Sequence, residues 1–185
     1  MTDNGFSLVF ETHSTSLDNE AGLASGWSDV DLSSTGEEQA RQLGVRWAGE
    51  PFAAVFCSDL KRAYRTGEIA FGQRGASIVR DARLRECNYG VLTRSPASRI
   101  DACRLRYVDL PFPEGESYQQ VVERVRSFLD EVAGREDNRS VLVIGHRATF
   151  FALEHLINAT PLRQVIASPW NWRPGWKYEL RRRNF

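Results

Sequence analysis

The sequence has little cysteine, no long apolar run and no net charge. Its 185 residues include three cysteines, Cys57, Cys87 and Cys103, and no two of them form a Cys-x-x-Cys pair. An odd number of unpatterned cysteines argues against a disulfide framework and favours a reducing compartment. No apolar run approaches the roughly 18 residues of a membrane span, and the first residues lack the features of a secretory signal. We therefore expect a cytoplasmic protein.

The balance of charge excludes further classes of partner. Lys and Arg together number 24, and Asp and Glu also number 24. A chain with no excess of either sign gives no reason to expect a nucleic-acid or membrane partner. The length suits one well-cored domain over residues 1–185 and is short for two.

Short apolar runs alternate with amphipathic stretches along the chain. The runs predict strands at 7–10, 52–58, 76–80, 140–145, 164–168 and 176–180, and the stretches predict helices at 34–49, 59–71, 117–134 and 148–158. We expect Thr35 and Ser58 to cap the first two helices. Residues 87–116 have no clear periodicity, and so long a loop is either functional or poorly ordered. The alternation predicts an α/β fold, an open and mostly parallel sheet with helices on both faces.

Histidine is scarce, and two of the three histidines come directly after predicted strands. His13 ends the run "LVFETH" and His146 ends "VLVIGH". His155 lies within a predicted helix, where we expect it to have a structural role. Ligands of open α/β sheets bind at the carboxyl ends of the strands. Arg62 falls in the first turn of the helix at 59–71 and can reach back over that edge. The pattern predicts an anion site for phosphate, the alternative being two satisfied loop histidines and a surface arginine.

Several motifs occur together in one order along nearly the whole chain. They are "THSTSLDNEAG", "GWSDVDLSSTGEEQARQLG", "CSDLKRAYRTGEIA", "RLRECNYG", "PEGES" and "VLVIGHRATFFAL". In this order they resemble the motifs of the histidine phosphatases, a superfamily with the phosphoglycerate mutase-like fold. The resemblance implies that same α/β fold and a small phosphorylated substrate.

The resemblance also implies a role for each matching residue. His13 stands in the place of the nucleophile that becomes phosphohistidine. Arg62 and His146 match the residues that hold the phosphoryl oxygens, and Glu86 matches the acid that protonates the leaving alcohol. Asn19 stands at the asparagine of the first motif and is expected to contact the substrate. No cofactor and no metal ion is implied, and the scattered histidines lack metal-ligand spacing.

The first motif departs from the family at two positions. Thr12 replaces the family's first arginine and Ser14 its glycine. A charge-assisted hydrogen bond contributes about 1.5–3 kcal/mol, so losing the arginine could cost about 10- to 100-fold in rate. Three explanations are open. Another arginine compensates, Arg147 being the first candidate and Arg85 the second, or the substrate needs a less positive pocket. In the third, the site has become a weak phospho-ligand-binding or interaction module.

The type of enzyme and its substrate are decided by segments outside the motifs. A short chain favours a phosphatase over a mutase, which must enclose and rebind a phosphorylated intermediate. Residues 91–116 are expected to cover the pocket, and they lack the family's Gly-x-Trp-Glu-Gly pattern, so substrates of relatives do not transfer. The tryptophan-rich stretch 168–180 is expected to pack around the last strand. An apolar pocket wall, or a subunit contact and hence a homodimer, is the alternative.

Overall fold

The computed structural model of the chain describes residues 5–135 and 140–181. Five strands form one sheet in the order β3-β2-β4-β1-β5. The strand β4 pairs in parallel with β1 and β2, β3 pairs in parallel with β2, and β5 pairs antiparallel with β1. The strands span β1 Gly5–Thr12, β2 Ala54–Cys57, β3 Ile78–Arg80, β4 Ser140–Gly145 and β5 Trp176–Arg181. This open, mostly parallel sheet confirms the predicted fold class.

Seven α-helices and four 3₁₀ turns connect these strands in the described ranges. The helices are α1 Leu17–Glu20, α2 Ser34–Arg46, α3 Lys61–Phe71, α4 Ala97–Cys103, α5 Tyr118–Ala133, α6 Arg147–Ile157 and α7 Leu162–Ala167. The 3₁₀ turns are Gly72–Arg74, Ala82–Leu84, Gly90–Leu92 and Arg104–Tyr107. None of these helices is long and apolar enough to cross a membrane.

The central strand β4 shows why the sheet is covered on both faces. Val141 and Val143 point into one apolar cluster, which α5 and α6 complete with their own buried side chains. Leu142 and Ile144 alternate with them and point into a second cluster, formed with α2 and α3. All four side chains are fully buried. A strand that is apolar at every position therefore needs a helical layer on each side.

The prediction of a strand at 164–168 is wrong, because residues 162–167 form the helix α7. Its three buried side chains are Leu162, Val165 and Ile166. This spacing of three and four residues places them on one helical face, and Pro161 precedes the first turn with a compatible φ of −53°. The β-branched pair suggested a strand, but tertiary packing of the helical face prevailed.

The helix starts also differ from the prediction. Ser33, and not Thr35, caps α2, its Oγ accepting from the backbone N–H of Gly36 at 3.1 Å. Leu60 occupies the N-cap of α3, while Ser58 Oγ accepts from the Leu60 N–H at 3.3 Å just before the helix. The stretch 87–116, expected to be a loop, contains α4 and two of the 3₁₀ turns.

Candidate active site

The two histidines meet at the carboxyl edge of the sheet because their strands are neighbours. Thr12 at the end of β1 is in register with Gly145 at the end of β4, and the N–H of His13 donates to the Gly145 carbonyl at 2.9 Å. The imidazole rings of His13 and His146 lie with their centroids 4.9 Å apart. The structure therefore brings both rings together at the ends of the two strands, as the sequence predicted.

Arg62 reaches this point from the first turn of α3. Its side chain is only 2% exposed. Its Nε donates to His13 Nε2 at 3.2 Å, and its two terminal nitrogens donate to the carbonyls of Ser28 at 3.0 Å and Gly26 at 2.8 Å. These three bonds hold the guanidinium in one orientation beside the imidazole.

The hydrogen bonds of His13 define its protonation. Nδ1 lies 2.7 Å from the Ser14 carbonyl, which can only accept, so Nδ1 carries the proton. Nε2 accepts from Arg62 and is therefore unprotonated, with its lone pair directed at the guanidinium. Burial, and then the charge of Arg62, lower the pKa of His13 to about 3. The side chain is consequently a neutral imidazole at physiological pH, which is the nucleophilic form.

His146 is the N-cap of α6 and is almost fully buried. Its backbone N–H donates to Thr149 Oγ1 at 3.1 Å, which holds the turn from β4 into the helix. Burial, followed by the charge of Arg62, lowers the pKa of His146 well below its usual value. Neither of its ring nitrogens, Nδ1 and Nε2, has a hydrogen-bond partner among the described residues. A buried polar atom without a partner is unusual and suits a ligand contact.

Glu86 lies against the start of α6, beside His146. Its Oε1 accepts from the N–H of Cys87 at 2.7 Å and from that of Ala148 at 3.3 Å. Burial raises the pKa of Glu86, whereas the Cys87 hydrogen bond and the nearby arginines oppose the shift. A carboxyl group with a raised pKa can stay protonated closer to neutral pH and donate a proton.

A cavity of about 320 Å³ brings these residues together. Its lining includes Thr12, His13, Asn19, Leu23, Ala24, Ser25, Gly26, Arg62, Glu86, Tyr89, Ala97, His146, Arg147 and Trp170. The four residues that the family resemblance assigns to catalysis all line this cavity. The described residues contain no group of three or more His, Cys, Asp or Glu side chains that could hold a metal ion.

A second cavity, of about 380 Å³, adjoins the first, and Thr12, His13 and Asn19 line both spaces. Gln39, Arg46 and Trp172 also line the second cavity. Trp172 is 56% exposed, and its Nε1 donates to Thr12 Oγ1 at 3.2 Å. The short side chain at position 12 thus lies where the two cavities adjoin.

The other expected substrate contacts differ in position. Asn19 lines both cavities, although its Oδ1 accepts from the Ser16 N–H at 2.9 Å. Ser14 is buried and lines only the second cavity, and its carbonyl orients His13. Its backbone N–H donates to Thr66 Oγ1 at 3.0 Å, which ties the loop after β1 to α3.

The two arginines expected to compensate for Thr12 have other partners. Arg85 pairs with both carboxylate oxygens of Asp59, at 2.7 and 2.6 Å, and is not among the residues that line either cavity. This geometry corrects the expectation for Arg85. Arg147 does line the first cavity, but one of its terminal nitrogens donates to Asp101 Oδ1 at 2.8 Å. At the position of the family's first arginine, the structure therefore has Thr12 in contact with Trp172.

Sequence reasoning did not identify the side chains that shape the rest of the cavity. Tyr89 and Trp170 supply aromatic walls, and Leu23 and Ala97 supply aliphatic ones. The signals were the expected cover at residues 91–116, which contains Ala97, and the tryptophan-rich stretch. In that stretch Trp176 packs on Phe10 with ring centroids 5.6 Å apart, whereas Trp170 and Trp172 line the cavities. The expected edge packing and the alternative pocket wall thus both occur.

Known proteins share this fold. The model of the histidine phosphatase superfamily, branch 1, matches residues 8–170. The chain belongs to this superfamily. It is 35% identical over 168 residues to a 2,3-bisphosphoglycerate-dependent phosphoglycerate mutase of Cytophaga hutchinsonii, covering 83% of this chain and 78% of the relative. It is 30% identical over 158 residues to phosphoserine phosphatase 1 of Hydrogenobacter thermophilus, covering 79% and 75%.

The fold likeness extends to a solved phosphatase. A mycobacterial glucosyl-3-phosphoglycerate phosphatase in complex with VO₃ superimposes with a TM-score of 0.75 and 28% identity, covering 88% of this chain and 86% of that one. The relatives therefore include both mutases and phosphatases, and the superfamily alone does not separate the two activities.

Proposed function

We propose that the protein is a phosphomonoester hydrolase that works through a phosphohistidine on a small phosphorylated metabolite. The observation that carries the proposal is the hydrogen bond from Arg62 Nε to His13 Nε2, 3.2 Å long, beside the imidazole of His146. A neutral nucleophile, a fixed cation and an uncommitted ring nitrogen converge on one cavity. The phosphatase relatives and the vanadate complex of a structural neighbour support an anion of phosphoryl type there.

The first half-reaction transfers the phosphoryl group to the protein. His13 Nε2 attacks phosphorus and forms the N–P bond as the bond to the ester oxygen breaks. Arg62 exchanges its bond to Nε2 for bonds to the phosphoryl oxygens, where it and His146 stabilise the developing charge. Protonated Glu86 gives its proton to the leaving oxygen, so the product leaves as a neutral alcohol.

The second half-reaction returns the site to its starting state. The Glu86 carboxylate takes a proton from a water molecule, which attacks phosphorus and breaks the N–P bond. Inorganic phosphate leaves, and Nε2 regains its lone pair. Side chains of the cavity supply the nucleophile, the acid–base group and the anion contacts, so the proposed cycle needs neither a metal ion nor an organic cofactor.

Two alternatives remain as outcomes of the test. Thr12 removes one expected cation from the phosphoryl pocket, which favours a weakly catalytic phospho-ligand-binding or interaction protein. The identity with a phosphoglycerate mutase favours a phosphomutase. Binding without turnover would indicate the first, and phosphoryl return to a bound alcohol in preference to water would indicate the second.

The test is to trap the intermediate and remove its nucleophile. With phenyl phosphate as substrate, rapid denaturation in alkali during turnover should retain an acid-labile phosphoryl group on the peptide that contains His13. His13→Ala should lose turnover by a factor of about 10⁴ or more, because no other side chain takes over covalent catalysis. His155→Ala is the matched control, since His155 is held by the Thr160 carbonyl at 2.9 Å and lines neither cavity. A folded His13→Ala protein with normal turnover would exclude the covalent mechanism.

A further inference from the structure

The part of the first cavity that lies beyond the phosphoryl site is lined mainly by apolar and aromatic side chains. Leu23, Ala24, Ala97, Tyr89 and Trp170 provide these walls. Tyr89 is buried, and its ring packs on Phe112 with centroids 5.1 Å apart. Trp170 packs on Phe150 and Trp176 at 5.3 and 5.6 Å. These walls are fixed by the core, so the leaving alcohol meets a preformed apolar surface.

The described lining contains two guanidinium groups, and each has hydrogen-bond partners, although Nε of Arg147 is buried without one. Arg62 has all three nitrogens committed at the deep end of the cavity, to His13 and to two backbone carbonyls. Arg147 donates to Asp101 Oδ1 at 2.8 Å, and its guanidinium lies 5.5 Å from the ring centroids of both Phe151 and Trp170. Asp101 thus offsets part of the positive charge that Arg147 brings to the cavity.

Asp101 is itself held in place on the side away from the cavity. Arg104, which is 9% exposed, donates to the same Oδ1 at 3.0 Å, and its other terminal nitrogen donates to the Ser168 carbonyl at 3.3 Å. Asp101 lies on α4 and is not itself among the lining residues. Asp101 therefore affects the cavity through Arg147. It pairs with the guanidinium that a second anionic group of a substrate would need as its partner.

We propose that the substrate is the phosphomonoester of an uncharged, apolar or aromatic alcohol, and that Asp101 excludes substrates with a carboxylate or a second phosphate. This inference rests on the proposed phosphatase function and names its substrate class. A second anion would lose its hydration against the apolar walls, and the remaining guanidinium of the lining, that of Arg147, is already paired with Asp101. A less positive pocket is in keeping with threonine at position 12.

The test compares two ligands that differ only in one carboxylate. Phenylphosphonate and 4-carboxyphenylphosphonate cannot be hydrolysed, so calorimetry on the wild-type protein measures their binding whether or not turnover occurs. We expect phenylphosphonate to bind at least about 10-fold more tightly, because a buried charge without a partner is strongly disfavoured. The hydrolysis of phenyl phosphate and 4-carboxyphenyl phosphate should show the same order in kcat/KM.

Variants assign the preference to Asp101. Asp101→Asn frees Arg147 and should tighten binding of the carboxylated ligand about 10-fold, with little change for phenylphosphonate. Asp109→Asn is the matched control, because Asp109 pairs with Arg163 at 3.2 Å and lines neither cavity. It removes the same charge and should leave both affinities unchanged. The gain of Asp101→Asn should vanish in the Asp101→Asn/Arg147→Met double variant.

Each outcome decides one proposal. Equal or tighter binding of 4-carboxyphenylphosphonate to the wild-type protein overturns the inference, and so does failure of phenylphosphonate to bind. An Asp101→Asn protein that keeps the full preference overturns the role of Asp101. If the preference for phenylphosphonate holds but no phosphate ester is hydrolysed, the inference on ligand class stands and the hydrolase proposal fails.

Discussion

The two strands that end at the site lead into different local structures. After β4, His146 caps an 11-residue helix and is 1% exposed, and the next residue, Arg147, is paired with Asp101. After β1, His13 enters a loop, lies half-buried and lines two cavities. One strand end is fixed by packing and capping, whereas the other is open.

This difference matches the two tasks that phosphoryl transfer sets. A group that stabilises charge works best when it does not move, and the N-cap position in the core holds His146 in this way. A nucleophile must be reached by the phosphorus atom, so His13 needs space in front of Nε2. Substitutions at the fixed end and at the open end test whether the two divide the chemistry in this manner.

After His13, the largest effect is expected at Glu86, which the fixed end supports through the Ala148 N–H. Glu86→Gln keeps the shape but has no proton to give, so kcat/KM for phenyl phosphate should fall about 10²- to 10⁴-fold. The loss should be much smaller for 4-nitrophenyl phosphate, because its leaving oxygen needs less protonation. Equal losses for the two esters would show that Glu86 is not the acid.

The pH profile gives an independent readout of the same residue. Burial raises the pKa of Glu86, and the protonated form is the active one, so wild-type kcat/KM should fall as pH rises through that pKa. Ionisation of the ester affects wild type and Glu86→Gln alike, so the limb that only the wild type shows belongs to Glu86. Since the pKa of His13 is lowered to about 3, protonation of His13 should not reduce activity until the pH approaches that value.

A smaller loss is expected for His146. Removing one charge-stabilising donor in an enclosed site costs about 10²- to 10³-fold in kcat, and His146→Ala should lose activity in that range. His146→Gln, which keeps a donor of similar reach, should recover part of it. Near-ultraviolet circular dichroism should be unchanged in both variants. If both variants lose activity equally and both unfold at lower temperature, His146 serves the packing at the end of β4 and not the phosphoryl group.

The sequence predicted the fixed end better than the open one. The run 140–145 is apolar throughout, and the strand β4 occupies those same residues. His13, His146 and Arg62 could be placed at one edge because parallel strands end together there. Glu86 lies in an irregular segment, and only the family resemblance pointed to it.

Long-range partners explain what the sequence could not show. Asp101 is 46 residues from Arg147, and Asp59 is 26 residues from Arg85. No local pattern reveals such pairs, so two arginines that were expected to face phosphate had their charges committed elsewhere. The contact of Trp172 with Thr12 spans 160 residues, and it decides how the space left by the missing arginine is filled.

The smallest effect concerns the open end itself. Thr12→Arg should raise kcat/KM on phenyl phosphate about 10-fold, the value of one recovered charge-assisted hydrogen bond. The new side chain must displace the Trp172 contact, so Trp172→Phe serves as a control for loss of that hydrogen bond alone and should change kcat/KM less than about 3-fold.

Because Arg147 is engaged by Asp101, it should not compete with the new guanidinium. The effects of Thr12→Arg and Arg147→Met should then add, as they do for independent sites. A gain that appears only in the Arg147→Met background would show that Arg147 turns towards the phosphoryl group during turnover and compensates for Thr12. Additive effects with no gain from Thr12→Arg would instead show that the open end is suited to a less positive pocket.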